Sequence, residues 1–375
     1  MWDVIVVGAG PAGCSAAYDL AHRHKKVLLL DKSNFPRVKA CAGGISIKTM
    51  RALRYSIEPV VQQVMSRVVV ESGTVQPLTL HANAPVCMMT VRSEFDHYCL
   101  GKTLEAGAEF RKIRNLKRIE QSADRVMIET DSEVLHARFV VGADGVHSAV
   151  RSFCKDAGSS AGGFALEGQV PLMSRNVDMT FDISGVRNGY GWIFPKGDHL
   201  NVGVGYFSGS SGELLNRDRL VSYVRSKLGT DTIDHVVGQY LGCSGWDGQH
   251  AFGRILLAGD AAGLVDTLTG EGIYSAVVSG QLAAHAIGGA LDGTMVASKA
   301  YQAGLSGLRK RLSISTKMAR VFYANPDRTL RALSLPGISS TLLSSHSRTL
   351  ISWCARLLSW TQPQQGPEVS VSGLE

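Results

Sequence analysis

Residues 3–31 read DVIVVGAGPAGCSAAYDLAHRHKKVLLLD, and this stretch decides the fold of the N-terminal part of the chain. The apolar run at residues 3–7 predicts a short buried strand. The Ala-rich segment from residue 11 to about residue 24 predicts a helix, and residues 27–30 predict a second buried strand. A strand, a helix and a parallel strand in this order form a right-handed crossover unit. The sequence therefore predicts an α/β layer built on a parallel sheet.

Three glycines between the first strand and the helix follow a GxGxxG spacing. In this pattern Gly8 permits a tight turn, Gly10 lets the backbone approach a pyrophosphate, and Gly13 allows the helix to pack closely on the strand. The N-terminus of the helix offers free N–H groups to phosphates. Asp31, at the end of the second strand, supplies a carboxylate that can bind a ribose hydroxyl. The segment predicts a dinucleotide site, for which both FAD and NAD remain candidates.

A distant segment separates these two cofactors. Residues 254–263 read RILLAGDAAG, which predicts a hydrophobic strand that ends in Gly-Asp and opens a helix. FAD enzymes hold the ribityl chain and the pyrophosphate with this arrangement, and Asp260 would accept a hydrogen bond from a ribityl hydroxyl. One loop later, residues 270–273 (GEGI) would place backbone N–H groups beside the pyrimidine edge of the flavin. We therefore predict that the cofactor is FAD.

Strand-rich segments interrupt the nucleotide-binding signals. We predict an α/β fold, α+β overall, in which a Rossmann-like FAD-binding domain is interleaved with a β-sheet substrate domain and followed by a C-terminal helical segment. The predicted boundaries are residues 1–64, 90–160 and 250–292 for the FAD-binding domain, 65–89 and 161–249 for the substrate domain, 293–361 for the helical region, and 362–375 for a disordered tail.

Composition limits the possible partners. The formal net charge of +7 indicates solubility or attraction to an anionic membrane face or substrate. The basic residues are dispersed and form no nucleic-acid-binding motif, so nucleic acid is not expected. The seven cysteines are odd in number and none has CxxC spacing, and the histidines lack metal-ligand spacing. We therefore expect a reducing compartment, with neither a metal site nor a disulfide framework.

The most apolar helix candidate, residues 273–291, contains Gln281 and His285 and reads as a buried helix rather than a membrane span. A strand begins at residue 3 with no basic region before it, so no targeting peptide is expected. The expected location is the cytoplasm, with peripheral attachment to a membrane left open. Residues 342–360 mix apolar and basic side chains, which predicts a helix that either lies on a membrane surface or covers the substrate domain.

Residues 140–151 read VVGADGVHSAVR and, together with Arg92 at the start of a helix, resemble the motifs of the flavoprotein superfamily that includes the aromatic hydroxylases. We interpret Asp144 as a structural residue that braces its loop, and Arg92 as the candidate for contact with FAD. The sequence has no second GxGxxG for a separate NAD(P)H domain. The electron donor, NAD(P)H or a reduced carrier protein, must therefore dock transiently.

Two further segments resemble the geranylgeranyl reductase family. Residues 36–44 (PRVKACAGG) are similar to its cysteine–glycine segment, and residues 189–195 (GYGWIFP) are similar to the end of its PxxYxWxFP substrate-cavity motif. Arg187 stands where that motif has its first proline, so the sequence departs from the motif at this loop position. The resemblance covers roughly residues 1–300. It implies a hydrophobic isoprenoid or lipid substrate.

Tyr190, Trp192 and Phe194 alternate along a strand, so their rings should project from one face and form an apolar wall for a polyisoprenoid chain opposite the flavin. Cys41 lies between basic residues and glycines, which predicts a position near the isoalloxazine and favours its thiolate. The predicted catalytic residues are Cys41, Tyr190 and Trp192. The predicted FAD-binding residues are Gly8, Gly10, Ala12, Gly13, Asp31, Lys32, Cys41, Gly43, Gly44, Arg92, Gly259, Asp260, Gly270, Gly272 and Ile273.

The reaction that this resemblance implies is hydride transfer from N5 of reduced FAD to an isolated carbon–carbon double bond, with a proton from Tyr190, Cys41 or water. The first alternative is a flavin-dependent monooxygenase of an aromatic or polyketide-like substrate, since residues 142–151 fit that group equally well. A flavin halogenase ranks lower because no catalytic-lysine segment matches. The second alternative is a flavoprotein that passes electrons to a quinone. Such a protein commonly needs an iron–sulfur partner, and the cysteines of this chain do not supply a cluster.

Overall fold

A computed structural model describes residues 1–73, 75–159, 162–172, 177–207, 212 and 214–334 of the 375-residue chain. The predictions of a helix at residues 342–360 and of a disordered tail at residues 362–375 lie outside these residues. Within them, no helix combines the length and the apolar character that crossing a bilayer requires.

The strands are contributed by both the nucleotide-binding and the β-rich segments of the sequence. In chain order they are β1 (Trp2–Val7), β2 (Val27–Asp31), β3 (Gly44–Ser46), β4 (Val61–Met65), β5 (Arg67–Ser72), β6 (Val75–His81), β7 (Cys87–Thr90), β8 (Glu109–Lys112), β9 (Leu116–Gln121), β10 (Val126–Thr130), β11 (Val134–Gly142), β12 (Gly163–Pro171), β13 (Met179–Asp182), β14 (Gly189–Pro195), β15 (His199–Tyr206), β16 (Asp234–Leu241), β17 (Ala251–Phe252) and β18 (Ile255–Leu257).

The helices cover the sheets and dominate the C-terminal part of the described chain. They are α1 (Pro11–Ala21), α2 (Ile47–Ala52), α3 (Arg92–Glu105), α4 (Ala149–Ser152), α5 (Arg217–Leu228), α6 (Ile273–Leu291), α7 (Ala297–Gly304), α8 (Ser306–Ala324) and α9 (Pro326–Leu333), with two 3₁₀ turns at Glu58–Val60 and Gly259–Ala262.

The first sheet has the order β17-β18-β11-β1-β2-β8, and β10 and β9 extend from β11. At its centre β1 pairs in parallel with β2 and with β11, with Val4 opposite Val27 and Val7 opposite Gly142. Almost all of β1 and β2 is buried, because helices cover both faces of a parallel sheet. The predicted α/β crossover is confirmed.

Helix α1 ends at Ala21, three residues before the predicted end. His24 adopts a left-handed φ of +58°, which reverses the chain toward β2. Helix α6 packs directly against α1, since a Cβ on Gly280 would overlap the carbonyl oxygen of Ala12. As predicted, α6 is a buried helix, and Gln281 donates a hydrogen bond to the carbonyl oxygen of Ala52 at 2.6 Å.

The second sheet has the order β16-β12-β15-β14-β13-β5-β6 and carries a separate core on each face. Tyr190, Trp192 and Phe194 belong to the core on one face, and Ile193 belongs to the core on the other, which α5 covers. The alternation predicted for this strand is therefore present. A small third sheet, β3-β7-β4, pairs strands that were assigned to different predicted domains. The domain boundaries therefore stay a prediction.

Helices α7–α9 attach the C-terminal part of the described chain to both sheets. The hydroxyl of Tyr301 on α7 donates to the carbonyl oxygen of Leu257 at 2.6 Å, at the end of β18. Helix α9 packs on β5 and β6, at one edge of the second sheet. The helical region thus closes the end of the molecule where β6 is the edge strand.

Candidate active site

The glycine turn after β1 has the geometry that its spacing predicts. Gly8 adopts a φ of +103°, a region open to glycine. A Cβ on Gly13 would overlap the carbonyl oxygen of Gly8, so only a glycine lets α1 pack this closely. A Cβ on Gly10 would meet, among the described residues, only a guanidinium nitrogen of Arg37 at 3.6 Å. The backbone at Gly10 therefore faces open space, as the approach of a pyrophosphate requires.

Asp31 braces this turn from the end of β2. Its carboxylate accepts hydrogen bonds from the backbone N–H of Ala9 at 2.7 Å and of Ser33 at 2.8 Å. A carboxylate has about four acceptor positions, so these two bonds leave room for a ribose hydroxyl. Asp31 and Lys32 both line the same cavity as Gly10.

The segment after β18 corrects one expectation. No α-helix opens at the Gly-Asp pair; the chain makes a 3₁₀ turn over Gly259–Ala262, and α6 follows after a loop. Gly259 and Gly263 hold left-handed conformations, with φ of +60° and +70°, at the two ends of the turn, and a right-handed helix does not continue through such residues. The helix N-terminus that this part of the chain brings to the cavity is therefore that of α6. The residues of this region that line the cavity include Asp260, Gly270, Gly272 and Ile273.

A buried group of charges lies between the glycine turn and α3. Arg92 donates to both carboxylate oxygens of Asp96 at 2.8 Å, and Arg37 pairs with the same carboxylate at 2.9 Å. Burial raises the pKa of Asp260, and the positive charges of Lys39 and Arg92 oppose that shift. One side of the cavity thus carries one more positive than negative charge, which suits an anionic ligand. The cations are Arg37, Lys39 and Arg92, and the acidic side chains are Asp96 and Asp260.

Cys41 is half-buried and lines the cavity on the loop that precedes β3. Its sulfur accepts from the backbone N–H of Gly43 at 3.4 Å and is hydrogen-bonded by Arg92. Its backbone N–H donates to Oε1 of Glu167 at 2.7 Å. The side chain and the backbone of Cys41 are thus held by Gly43 of the same loop, by Arg92 of α3 and by Glu167 of the second sheet.

Glu167 joins Cys41 to the aromatic strand. Asn201 donates a side-chain hydrogen bond to Glu167, and its Oδ1 accepts from the indole N–H of Trp192 at 2.7 Å. Burial raises the pKa of Glu167, while its hydrogen bonds from Cys41 and Asn201 oppose that shift. A chain of hydrogen bonds therefore connects Cys41, Glu167, Asn201 and Trp192, and Glu167 itself lines the cavity.

Lys196 follows the aromatic strand and is fully enclosed. Its ammonium donates to the carbonyl oxygen of Ala42 and lies 3.7 Å from the sulfur of Met89. Burial lowers the pKa of Lys196 to about 8. This lysine fastens the cysteine–glycine loop to the second sheet.

A single cavity of about 730 Å³ joins the glycine turn to an apolar compartment. Its size falls in the range of roughly 300–1,000 Å³ that is usual for ligand sites. Of the predicted residues, Gly13 and Gly259 do not line the cavity and instead allow close packing, whereas all others line it. The apolar end is lined by Val68, Val70, Leu78, Leu80, Val86, Met179, Phe181, Ile183, Tyr190, Trp192, Phe194, Phe207, Leu268, Phe322, Tyr323 and Leu333.

Tyr190 is positioned by an aromatic cluster and by one hydrogen bond. Its hydroxyl donates to the carbonyl oxygen of Thr269 at 2.5 Å, and burial raises its pKa. Its ring centroid lies 4.8 Å from that of Phe207 and 5.2 Å from that of Phe181. The hydroxyl proton of Tyr190 is thus already engaged with the loop that precedes α6.

Glu271 anchors that loop to β3 and α2. Its Oε1 accepts from Ser46 at 2.5 Å and from Thr49 at 3.2 Å, and its other oxygen pairs with Lys48. Because Glu271 lies between Gly270 and Gly272, this anchor fixes the backbone N–H groups that border the cavity.

Asp144 has the structural position that we predicted. It accepts from the hydroxyl of Ser148 at 2.5 Å and from the backbone N–H of Val150 at 3.1 Å, which braces its loop. Arg151 ties this loop to the 3₁₀ turn through the carbonyl oxygen of Ala261 at 2.9 Å. Arg187 is exposed in the turn between β13 and β14, so the side chain that replaces the proline of the motif does not intrude on the core.

Sequence reasoning missed Glu167, Asn201, Lys196 and Glu271. The available signal for Glu167 was one charged side chain in a strand of small and apolar residues. Asn201 and Lys196 follow the aromatic motif closely, but nothing local shows which way they point. Among the described residues, no cluster of His, Cys, Asp or Glu is arranged to hold a metal ion.

Comparisons with known proteins agree with this geometry. The sequence matches the FAD binding domain family over residues 1–300. It is 32% identical over 329 residues to an uncharacterized protein of Methanosarcina barkeri, covering 86% of this chain and 84% of that protein. It is 30% identical over 311 residues to digeranylgeranylglycerophospholipid reductase 1 of Methanopyrus kandleri, covering 75% of this chain and 79% of that one.

Solved structures show the same fold. A geranylgeranyl bacteriochlorophyll reductase-like protein from Thermoplasma acidophilum aligns over 96% of both chains with a TM-score of 0.79 and 22% identity. A point mutant of the halogenase PltM in complex with FAD aligns over 86% of this chain and 76% of its own, with a TM-score of 0.69 and 14% identity. At these identities the likeness establishes the fold alone, and it includes proteins of different activities.

The fold and the site together define an FAD-dependent oxidoreductase. The open backbone at Gly10, the acceptor at Asp31 and the N-terminus of α6 around one cavity fit an elongated dinucleotide. By its family match and its relatives, the chain belongs to the geranylgeranyl reductase family of FAD-dependent oxidoreductases. The predicted class, fold and cofactor are confirmed, whereas the roles of individual residues stay predictions.

Proposed function

We propose that this chain reduces isolated carbon–carbon double bonds of a polyisoprenoid lipid. The observation that carries the proposal is the continuity of the cavity, in which the glycine turn and a long apolar compartment share one space. Relatives named digeranylgeranylglycerophospholipid reductase and geranylgeranyl diphosphate reductase support this class of substrate. An apolar chain entering the compartment would bring its double bonds toward the polar end.

The proposed FAD-binding site lies along the polar end of the cavity. The turn at Gly8 and Gly10 would receive the pyrophosphate, Asp31 a ribose hydroxyl, and Asp260 a ribityl hydroxyl. The backbone N–H groups around Gly270 would lie at the pyrimidine edge. When bound and reduced, FAD supplies a hydride for the double bond.

The contribution of the protein is then orientation and exclusion of water. An unactivated alkene is a poor hydride acceptor, so holding it in one pose accounts for much of the acceleration. Tyr190, Trp192 and Phe194 form a rigid wall, because Tyr190 is tied to Thr269 and Trp192 to Asn201. Such a wall leaves little freedom for a bound chain.

We propose Cys41 as the residue that delivers the proton to the second carbon. Tyr190 is the weaker candidate, since its proton is donated to the carbonyl oxygen of Thr269 and burial raises its pKa. The sulfur of Cys41 borders the cavity and accepts from Gly43 and Arg92, and its own S–H proton is donated to no acceptor among the described residues. The electron donor that reduces FAD would be NAD(P)H or a reduced carrier protein, docked transiently.

The decisive experiment is anaerobic. Flavin in the purified protein is reduced, geranylgeranyl lipids are added, and flavin absorbance and product saturation are followed together. We expect reoxidation of the flavin in step with saturated product. No reoxidation by any isoprenoid, with rapid oxygen-dependent turnover of an aromatic compound, would replace the proposal with a monooxygenase. Reoxidation by quinones alone would favour electron transfer.

A further inference from the structure

Helices α8 and α9 carry most of the net charge of the protein. Residues 305–334 contain seven Lys or Arg residues and one acidic residue, Asp327, which gives a net charge of +6 in a chain whose formal net charge is +7. The remainder of the chain is therefore almost balanced. A segment of thirty residues with this excess produces a strong local positive potential.

Two cations of α8, Lys317 and Arg320, are exposed and lie three residues apart on the outer face of the helix, whereas Arg309 and Arg311 are half-buried. The opposite face is buried through residues such as Leu308, Leu312 and Met318. Lys317 and Val321 lie one turn apart on the outer face, and Ile314 precedes Lys317 by three residues, so the three side chains form one stripe. Val321 is 66% exposed and Ile314 is 40% exposed. Cationic and aliphatic side chains thus share one surface.

We define the basic face as Lys317, Arg320, Arg328 and Arg331, together with Ile314 and Val321. All six are exposed, and within the described residues none of the four cations has an ion pair with a carboxylate. The one acidic side chain within residues 305–334, Asp327, accepts a hydrogen bond from Ser72 on β5. The positive charge of this face is therefore left for an external anion.

The same two helices close the apolar end of the cavity. Phe322 and Tyr323 on α8 and Leu333 on α9 line it, directly behind the outer face. The hydroxyl of Tyr323 donates to the carbonyl oxygen of Leu268, in the loop that precedes α6. One pair of helices therefore has the apolar compartment on its inner side and the basic face on its outer side.

We propose that the basic face docks on an anionic phospholipid surface. Charge complementarity selects the anionic surface, because each Lys or Arg close to such a membrane adds to the electrostatic attraction. The exposed Val321 and Ile314 favour a bilayer over a nucleic acid or an acidic protein, because aliphatic side chains among cations can enter the headgroup boundary. If the proposed function holds, docking also brings the apolar compartment next to the source of its substrate.

The test uses the full chain with FAD bound and measures co-sedimentation with vesicles. We expect binding to vesicles of phosphatidylglycerol and phosphatidylcholine in equal parts, weaker binding in 0.5 M than in 0.1 M NaCl, and none to phosphatidylcholine alone. Lys317→Glu/Arg320→Glu should weaken binding at least tenfold. Lys117→Glu/Lys155→Glu, which makes the same charge change at exposed positions elsewhere, should bind like the wild type. Flavin absorbance and circular dichroism report whether each variant is folded.

Three results would overturn the proposal. One is a wild-type protein that does not bind anionic vesicles. Another is equal binding by Lys317→Glu/Arg320→Glu, which would place any lipid contact elsewhere, including residues 335–375. The third is a wild-type dimer that this variant converts to a monomer, which would show that a second copy occupies the face. Vesicle binding is measured without catalytic turnover. The binding result therefore remains interpretable even if the proposed alkene reduction is wrong.

Discussion

At the scale of single residues, Glu167 has the most consequential position. It accepts from the backbone of Cys41 and from Asn201, whose oxygen in turn accepts from Trp192. These hydrogen-bonded residues are far apart in sequence, and the two at the ends, Cys41 and Trp192, are predicted to serve the flavin and the substrate. A buried acceptor at this junction aligns the two halves of the site, and leaving buried donors unsatisfied costs about 1–3 kcal/mol.

Glu167→Gln should disturb this alignment. The new amide still accepts from Cys41, but its NH₂ group meets the NH₂ group of Asn201, and two donors repel. We expect the free energy of unfolding to fall by about 1–3 kcal/mol, and anaerobic flavin reoxidation by an isoprenoid to slow at least tenfold.

A second substitution provides the control. Adding Asn201→Asp places a carboxylate where it accepts both from the new amide and from Trp192, so Glu167→Gln/Asn201→Asp should recover much of the stability and rate. Failure of the double variant to improve on Glu167→Gln would show that Glu167 acts through its charge rather than through this chain of bonds.

Cys41→Ala tests the proposed proton donor. We expect the variant to retain FAD with an unchanged visible spectrum and to lose at least tenfold in the rate of alkene reduction, because removal of a positioned acid typically costs about 10²–10⁴-fold. Cys154→Ala, at a buried cysteine outside this cavity, is the matched control and should turn over normally. Normal turnover by Cys41→Ala would remove Cys41 from the mechanism.

Lys196 predicts a pH dependence of stability. Burial lowers the pKa of Lys196 from its usual 10.5 to about 8 in the folded protein. Between these values the unfolded chain binds more protons, so this group makes the protein more stable as the pH rises. The unfolding free energy of the wild type minus that of Lys196→Met should be flat below pH 8. It should then increase by up to about 3 kcal/mol toward pH 10.5. A difference that stays constant across this window would contradict the prediction.

At the scale of secondary-structure elements, sequence patterns predicted the features that depend on a few neighbouring residues. The strand β1, the turn at Gly8 and the alternation of Tyr190 and Trp192 were all predicted, because periodicity and glycine sterics operate over a few residues. The 3₁₀ turn at Gly259–Ala262 was not, since the left-handed conformation of Gly259 is set by packing against α1 and α6. The partners of Glu167 were equally hidden, because pairing of β12 with β15 brings Asn201 to it and docking of the loop before β3 brings Cys41 to it.

The contact between α1 and α6 yields a prediction of its own. Gly280→Ala inserts a methyl group against the carbonyl oxygen of Ala12, and overpacking of this kind costs about 1–3 kcal/mol. Displacement of α1 should also weaken FAD binding, measured by fluorescence titration of the apoprotein. Gly101→Ala is the matched control. It lies within α3, where the added carbon has no atom of the described residues within 4 Å apart from its chain neighbours and its own helix backbone, and it should be neutral or stabilising by up to about 1 kcal/mol. Equal effects in the two variants would show that the close contact does not matter.

At the scale of the whole molecule, the cavity is shared by segments from almost the entire described chain. The glycine turn, the second sheet and α8–α9 all contribute to its wall. The sequence indicated a helical C-terminal region but not that Phe322 and Leu333 would line the cavity. Tertiary docking of a helix leaves no local signal in its sequence beyond amphipathicity. The sequence therefore predicted the class of protein and the cofactor, but it did not predict the shape of the apolar compartment.

A cavity of about 730 Å³ lies among the hydrophobic cores, so the stability of the folded state should depend on the concentration of a ligand that fills it. A molecule that fills this space binds the native chain and not the unfolded one, so each tenfold rise in free FAD above its dissociation constant should add about 1.4 kcal/mol to the apparent stability. Melting temperatures measured across a series of FAD concentrations should rise accordingly, and a melting temperature independent of FAD would contradict this. In a cell, scarcity of flavin would then appear first as a shorter lifetime of this protein, before any change in its catalytic rate.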